Sequence, residues 1–185
     1  MAHVETSADF HVAVTAGVDE IGHTPGFRGD EHAQLPSTSP YEITAADARL
    51  AAQRGTWVVT TLGGVQFLDP MGPDSLRRRT FDRLAARNLR ELRDAGVRIA
   101  VGSDEFRDDS VRESQYLLAL GVLDPLSLLR LWSESTPPAI FPKRRVGCLE
   151  DGCEASLLVL RGDPSADFAN TQRITLRMKD GRLLP

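Results

Sequence analysis

The chain has 185 residues, of which 41% are hydrophobic and 26% charged, a composition that suits one globular domain or two small ones. A net charge of −4 and a pI near 5.6 argue against nucleic acid or an anionic membrane as partner. The longest apolar run, YLLALGVL, has eight residues, where a membrane helix needs ~18–20, and no basic region followed by an apolar core opens the sequence, so a cytoplasmic location is expected.

The first element is a short helix from Ser7, read as its cap, to about Ala16. Phe10, Ala13, Val14 and Gly17 fall on one face at helical spacing. Val18 to Gly22 reads as a brief strand that delivers His23. Residues 24–43 are rich in Pro, Gly, Ser and Asp and read as a long loop, with His32 solvated in it or reaching toward substrate. Thr44 starts a second helix that ends at Gly55, and TWVVTTL (56–62) is β-branched and aromatic, a strand. A longer helix opens at Asp74, with Phe81, Leu84, Ala85, Asn88, Leu92 and Ala95 inward and Gly96 at its C-terminal cap. In the strand VRIAVGSD (97–104), Val97, Ile99 and Val101 share one face. Ala100, Gly102 and Asp104 share the other, which leaves room beside the carboxylate.

Ser110-Val-Arg-Glu113 reads as a capping box for a fourth helix, a supporting group behind the site being the alternative for Glu113, and Asp124-Pro125 starts a fifth. Beyond Pro137-Pro138 the texture turns to short strands, ASLLVLRG and ITLRMKDGRLL, the second with an Asp-Gly turn. Cys148 and Cys153 are the only cysteines; their spacing argues against a zinc site and they are expected as free thiols. Arg77-Arg78-Arg79 and Lys143-Arg144-Arg145 read as solvated faces, His11 as a surface or packing residue, and Trp57 and Trp132 as packing residues.

Alternating helices and strands over residues 7–135 imply a parallel sheet with crossover helices, with ligands at the C-terminal ends of the strands. His23 and Asp104 both stand at such ends; His3 stands where a strand end belongs, but no strand is visible before it. Imidazoles and a carboxylate so placed suit one Zn²⁺-like ion, which lowers the pKa of bound water to about 7. An aspartate beside it can move that water's proton.

HVETSADFHVAVTAGVDEIGH, NLRELRDAGVRIAVGSD, and GVLDPLSLLRLWSESTPPAIF followed by GCLEDGCEASLLVLRGDP resemble the C-terminal half of the amidohydrolase superfamily, nearest its imidazolonepropionase-like and prolidase-like branch. The resemblance implies an α/β fold: part of a (β/α)8 TIM-like barrel, its C-terminal half with strands six to eight, over residues 1–136, followed by a small β-sandwich segment over 137–185. It implies one or two divalent metals, zinc foremost. His3 and His23 would be ligands, and Asp104 both ligand and catalytic acid/base. The implied reaction is hydrolysis of a non-peptide or cyclic C–N bond, or of a dipeptide, in a small-molecule substrate. Thr60 and Thr61 fall where such proteins contact substrate, a structural role being the alternative.

The family's His-x-His pair and bridging lysine have no counterpart here, and its tail aspartate is Ser156. A complete barrel takes roughly 250 residues, and an opened one exposes strand edges. The chain is therefore expected to be incomplete, the product of a truncated or misassigned reading frame or else one part of a split enzyme, and to be marginal, to aggregate, or to pair with a complementary N-terminal half or with itself. The rival expectation is an inactive half-barrel remnant or an assembly and interaction module.

Overall fold

The computed structural model describes residues 1–29, 34–64, 68–104 and 109–185; His32 lies outside them. The described chain divides into two compact units, Met1–Val122 and Leu123–Pro185.

In the first unit, β1 (Ala2–His3), β2 (Glu20–Gly22), β3 (Trp57–Thr60) and β4 (Arg98–Val101) make one sheet in the order β1-β2-β3-β4. All three pairings are parallel. The connecting helices are α1 (Ser7–Ala16), α2 (Ala45–Arg54) and α3 (Leu76–Asp94), and α4 (Val111–Ala119) follows β4. Phe10 and Val14 of α1, Ile21, Val58, and Leu89 and Leu92 of α3 are buried in this unit's core. The expected alternation is present, but it starts one strand earlier than the sequence suggested. His3 does have a strand: Ala2 pairs with Ile21 and His3 with Gly22, and the Val4 amide donates to Gly22 O at 3.3 Å. Two residues are too few to carry a period-two pattern, so this strand exists only through its neighbour.

Several local readings change for physical reasons. Thr6, not Ser7, caps α1; it accepts from the Asp9 amide at 3.2 Å while Asp9 accepts from the Thr6 amide at 2.9 Å. Ser75 rather than Asp74 caps α3. Ser110 makes no capping bond to α4, and its supposed partner Glu113 is buried instead. The Arg77–Arg79 run is not simply solvated. Arg77 donates to Arg28 O at 2.8 Å and lies over the Phe27 ring, and Arg78 pairs with Asp82 at 2.9 Å.

One buried amide holds described residues near both ends of the segment between β2 and α2. Asn88, fully buried on α3, accepts from the Ile43 amide at 3.0 Å and donates to Tyr41 O at 2.8 Å and Pro25 O at 3.2 Å. A single side chain thus satisfies three backbone groups that would otherwise be buried unpaired.

The second unit holds α5 (Pro125–Arg130), capped by Asp124, a π-helical turn (Leu131–Ser135) and α6 (Thr136–Ile140). An antiparallel sheet β5 (Leu157–Leu160), β6 (Ile174–Lys179) and β7 (Arg182–Leu184) follows, with Asp180-Gly181 turning the last hairpin. Trp132 stacks on Phe168 with centroids 6.3 Å apart. Arg144 is exposed, as expected, and also paired; it holds Glu154 at 2.8 Å and Asp180 at 3.4 Å, keeping the Glu154 carboxyl down at about 2. Ser156 joins them, donating to Glu154 at 2.5 Å and accepting from the Asp180 amide at 3.1 Å. Cys148 and Cys153 are a disulfide rather than free thiols. Gly147 and Gly152, at φ 89° and 84°, curl the intervening turn until the two Cα atoms are 5.9 Å apart, inside bridging range. No helix among the described residues is long and apolar enough to cross a membrane.

Candidate functional site

Three strand ends of the first unit meet at one pocket, lined by His3, Glu5, His23, Arg28 and Asp104 among others. β1 ends on His3, β2 leads into His23, and β4 leads through Gly102 to Asp104. Strand β3 lies between β2 and β4, so Asp104 must cross its end to reach His23. Gly102 permits the crossing. Its amide donates to Thr60 O at 2.9 Å, and a Cβ there would fall 2.6 Å from Val59 Cγ1 and 3.1 Å from Thr60 O. His23 and Asp104 then turn back with φ of 77° and 56°. Non-glycine residues hold that conformation at a cost, and such positions gather at functional sites.

The result is a close pair. His23 Nε2 lies 3.9 Å from Asp104 Oδ2. Two donors each about 2.1 Å from one ion sit at most ~4.2 Å apart, so the separation is within the reach of one shared cation. The other ring nitrogen, Nδ1, makes a short hydrogen bond with Thr61 Oγ1. With the proton on Nδ1, that bond turns the Nε2 lone pair toward Asp104. Burial pushes the His23 imidazole below the usual histidine range and His3 adds to this, while the Asp104 and Glu5 carboxylates oppose it. A neutral imidazole is the form that ligates metals.

His3 is brought alongside without being aimed at the same point. Its ring meets the His23 ring edge-on, with centroids 4.5 Å apart, but its Nε2 is 3.6 Å from Glu5 Oε1. The donor atoms of His3, His23 and Asp104 do not all fall within 4.8 Å of one another. Among the described residues the trio that does is Cys148, Glu150 and Cys153, whose sulfurs are bonded to each other. Two imidazoles and a carboxylate remain a donor set suited to zinc-like divalent ions.

Some site residues were not singled out by sequence. Thr24 Oγ1 is buried at the pocket without a hydrogen-bond partner. Glu5 pairs with Arg28 at 2.8 Å, and that guanidinium, followed by His3, holds the Glu5 carboxyl below its ordinary value. These side chains carry no periodic or motif signal; only the loop's return to the strand ends brings them in. His11, by contrast, lies outside the pocket and bonds Asp47 at 2.6 Å.

The description "Amidohydrolase family" fits residues 1–184. The chain belongs to the amidohydrolase family. Among solved structures, a prolidase complexed with N-methylphosphonate-L-proline matches with a TM-score of 0.73 and 23% identity, covering 100% of this chain and 44% of that one. A Xaa-Pro dipeptidase with bound methionine in the active site matches at 0.71 and 20%, covering 98% and 43%. The ochratoxinase of A. niger matches at 0.72 and 20%, covering 98% and 40%. The chain thus spans less than half the length of these amidohydrolase-like structures. No curated protein matches the sequence.

Proposed function

We propose that this chain carries part of the active site of a metal-dependent hydrolase, on a segment of a (β/α)8 barrel. His23 and Asp104 hold a divalent cation, zinc foremost, and His3 joins them when its ring swings from Glu5 toward the shared point. The observation that carries the reading is the 3.9 Å approach of His23 Nε2 to Asp104 Oδ2 across the end of β3. When bound, the cation supplies Lewis-acid polarisation and a lowered water pKa. The chain's own residues do the rest. His23, held by Thr61, presents Nε2; Asp104, with Oδ2 toward His23, accepts the proton of the attacking water on its other carboxylate oxygen and returns it to the departing nitrogen. Arg28 supplies a positive charge at the pocket that suits a substrate carboxylate, offset by its pairing with Glu5.

The substrate class that follows is a small molecule with a hydrolysable C–N bond, cyclic or non-peptide, or a dipeptide. The prolidase and dipeptidase among the similar structures support the dipeptide.

Dialysis against Zn²⁺ followed by elemental analysis tests the reading. One ion per chain is expected, with His23→Ala and Asp104→Ala each weakening binding more than about 100-fold, since even outer-shell partners are worth about 10–100-fold. Occupancy well below one in wild type, unchanged by His23→Ala, would leave the inert half-barrel as the better account.

A further inference from the structure

Glu113 is the largest buried acid in the core, and nothing described so far uses it. It sits in the first turn of α4, 1% exposed. Its Oε2 accepts a short hydrogen bond from the Gly63 amide, in the turn that continues β3. The Thr60 hydroxyl and Leu62 amide add to the polar groups around the carboxyl. Its other oxygen, Oε1, is buried with no hydrogen-bond partner. For stability alone this is a poor arrangement, because a half-satisfied buried carboxyl is worse than an apolar side chain of similar size. The turn is built around it nonetheless. Gly63 lies so close that a Cβ there would be 3.0 Å from Arg112 O, from Glu113 Cα and from Glu113 Oε2. Within that same turn stands Thr61, whose hydroxyl bonds His23 Nδ1.

We propose that Glu113 is a positioning residue. Its carboxyl clamps the 60–63 turn so that Thr61 holds the His23 imidazole with Nε2 toward Asp104. The inference deepens the metal-site reading and rests on it for its purpose. The contacts run from α4 to the β3 turn to the β2 end, so the clamp acts on the pocket from a helix that does not line it. An outer contact of this kind orients a ligand ring and fixes its tautomer.

The test reads His23 directly, in metal-free protein, by long-range ¹H–¹⁵N correlation of its ring nitrogens. His23→Ala assigns the signals among the four histidines. Zn²⁺ affinity is measured in parallel by chelator competition. Glu113→Leu removes the acceptor and relieves the unpaired oxygen. It is expected to leave stability equal or higher, to displace the His23 ring shifts, and to weaken Zn²⁺ binding by at least about 10-fold. Glu113→Gln keeps an acceptor for the Gly63 amide and is expected to match wild type in both. A folded Glu113→Leu protein with unmoved His23 shifts overturns the proposal, as does Glu113→Gln displacing them as far. If Glu113→Leu does not fold, Gly63→Ala, which pushes the turn off the carboxyl, must displace the same signals, and unmoved signals overturn the proposal. In a Thr61→Val background Glu113→Leu is expected to add no further displacement; a second full increment breaks the route through Thr61. Failure of wild type to bind Zn²⁺ refutes the metal-site reading whatever His23 does, whereas intact binding with an unmoved His23 refutes the clamp alone.

Discussion

The Glu113 carboxyl is raised by burial from its ordinary 4.5 to about 7, with the Gly63 amide, the Thr60 hydroxyl and the Leu62 amide opposing. Between those values the folded protein keeps a proton that the unfolded chain has lost. The folded state therefore binds more protons, and stability falls as pH rises through the window. Below about 4.5 the penalty is absent; above about 7 it is complete, on the order of 3 kcal/mol. Urea unfolding of wild type and Glu113→Gln at several pH values checks this. The wild-type free energy minus that of the variant should fall between about pH 4 and pH 8, and a flat difference would refute it. Sequence pointed to His23 and Asp104 because each stands at the C-terminal end of a strand segment, where ligand-type residues gather in such sheets. It misjudged Glu113 because Ser-x-x-Glu is a local signal, and a local cap loses to a tertiary hydrogen bond that the spacing does not encode. His3 was legible as a residue but not as a geometry, since its ring turns toward Glu5.

At the level of elements, the loop from β2 to α2 depends on Asn88. Asn88→Ala leaves the Ile43 amide and the Tyr41 and Pro25 carbonyls without their partner. A loss of roughly 1–3 kcal/mol is expected for an unsatisfied buried group, measurable as a lower urea midpoint with unchanged m-value. A midpoint equal to wild type would mean that water replaces all three bonds. Helical periodicity placed Asn88 inward without saying why an amide belongs there; its partners come from a segment some 45–63 residues away. The elements that sequence did place have strong local chemistry: the Thr44 cap and Gly55 stop of α2, the β-branched β3, and Asp124-Pro125 before α5. β1 has none, and its two residues become a strand by pairing with Ile21 and Gly22. The Cys148–Cys153 bridge was missed because two cysteines do not reveal the turn that joins them; the glycines beside them carry that information.

For the molecule as a whole, the sheet order places β1 and β4 at its two margins, each paired on one side among the described residues. A strand margin with no partner among the described residues invites another strand, and on that ground we propose a complementary chain or a second copy as partner. His3 belongs to the β1 margin, held there by two parallel rungs and the Val4 amide. Whatever docks beside β1 would stiffen that margin and with it one arm of the cation site. By linkage, the cation must strengthen the docking by the same factor. Sedimentation with and without Zn²⁺ reads this out: self-association should tighten when the ion is present, and His3→Ala should abolish the difference. Assembly and ion uptake would then be one equilibrium seen from two ends, and a lone subunit at high dilution would be the poorest ion binder the chain can form.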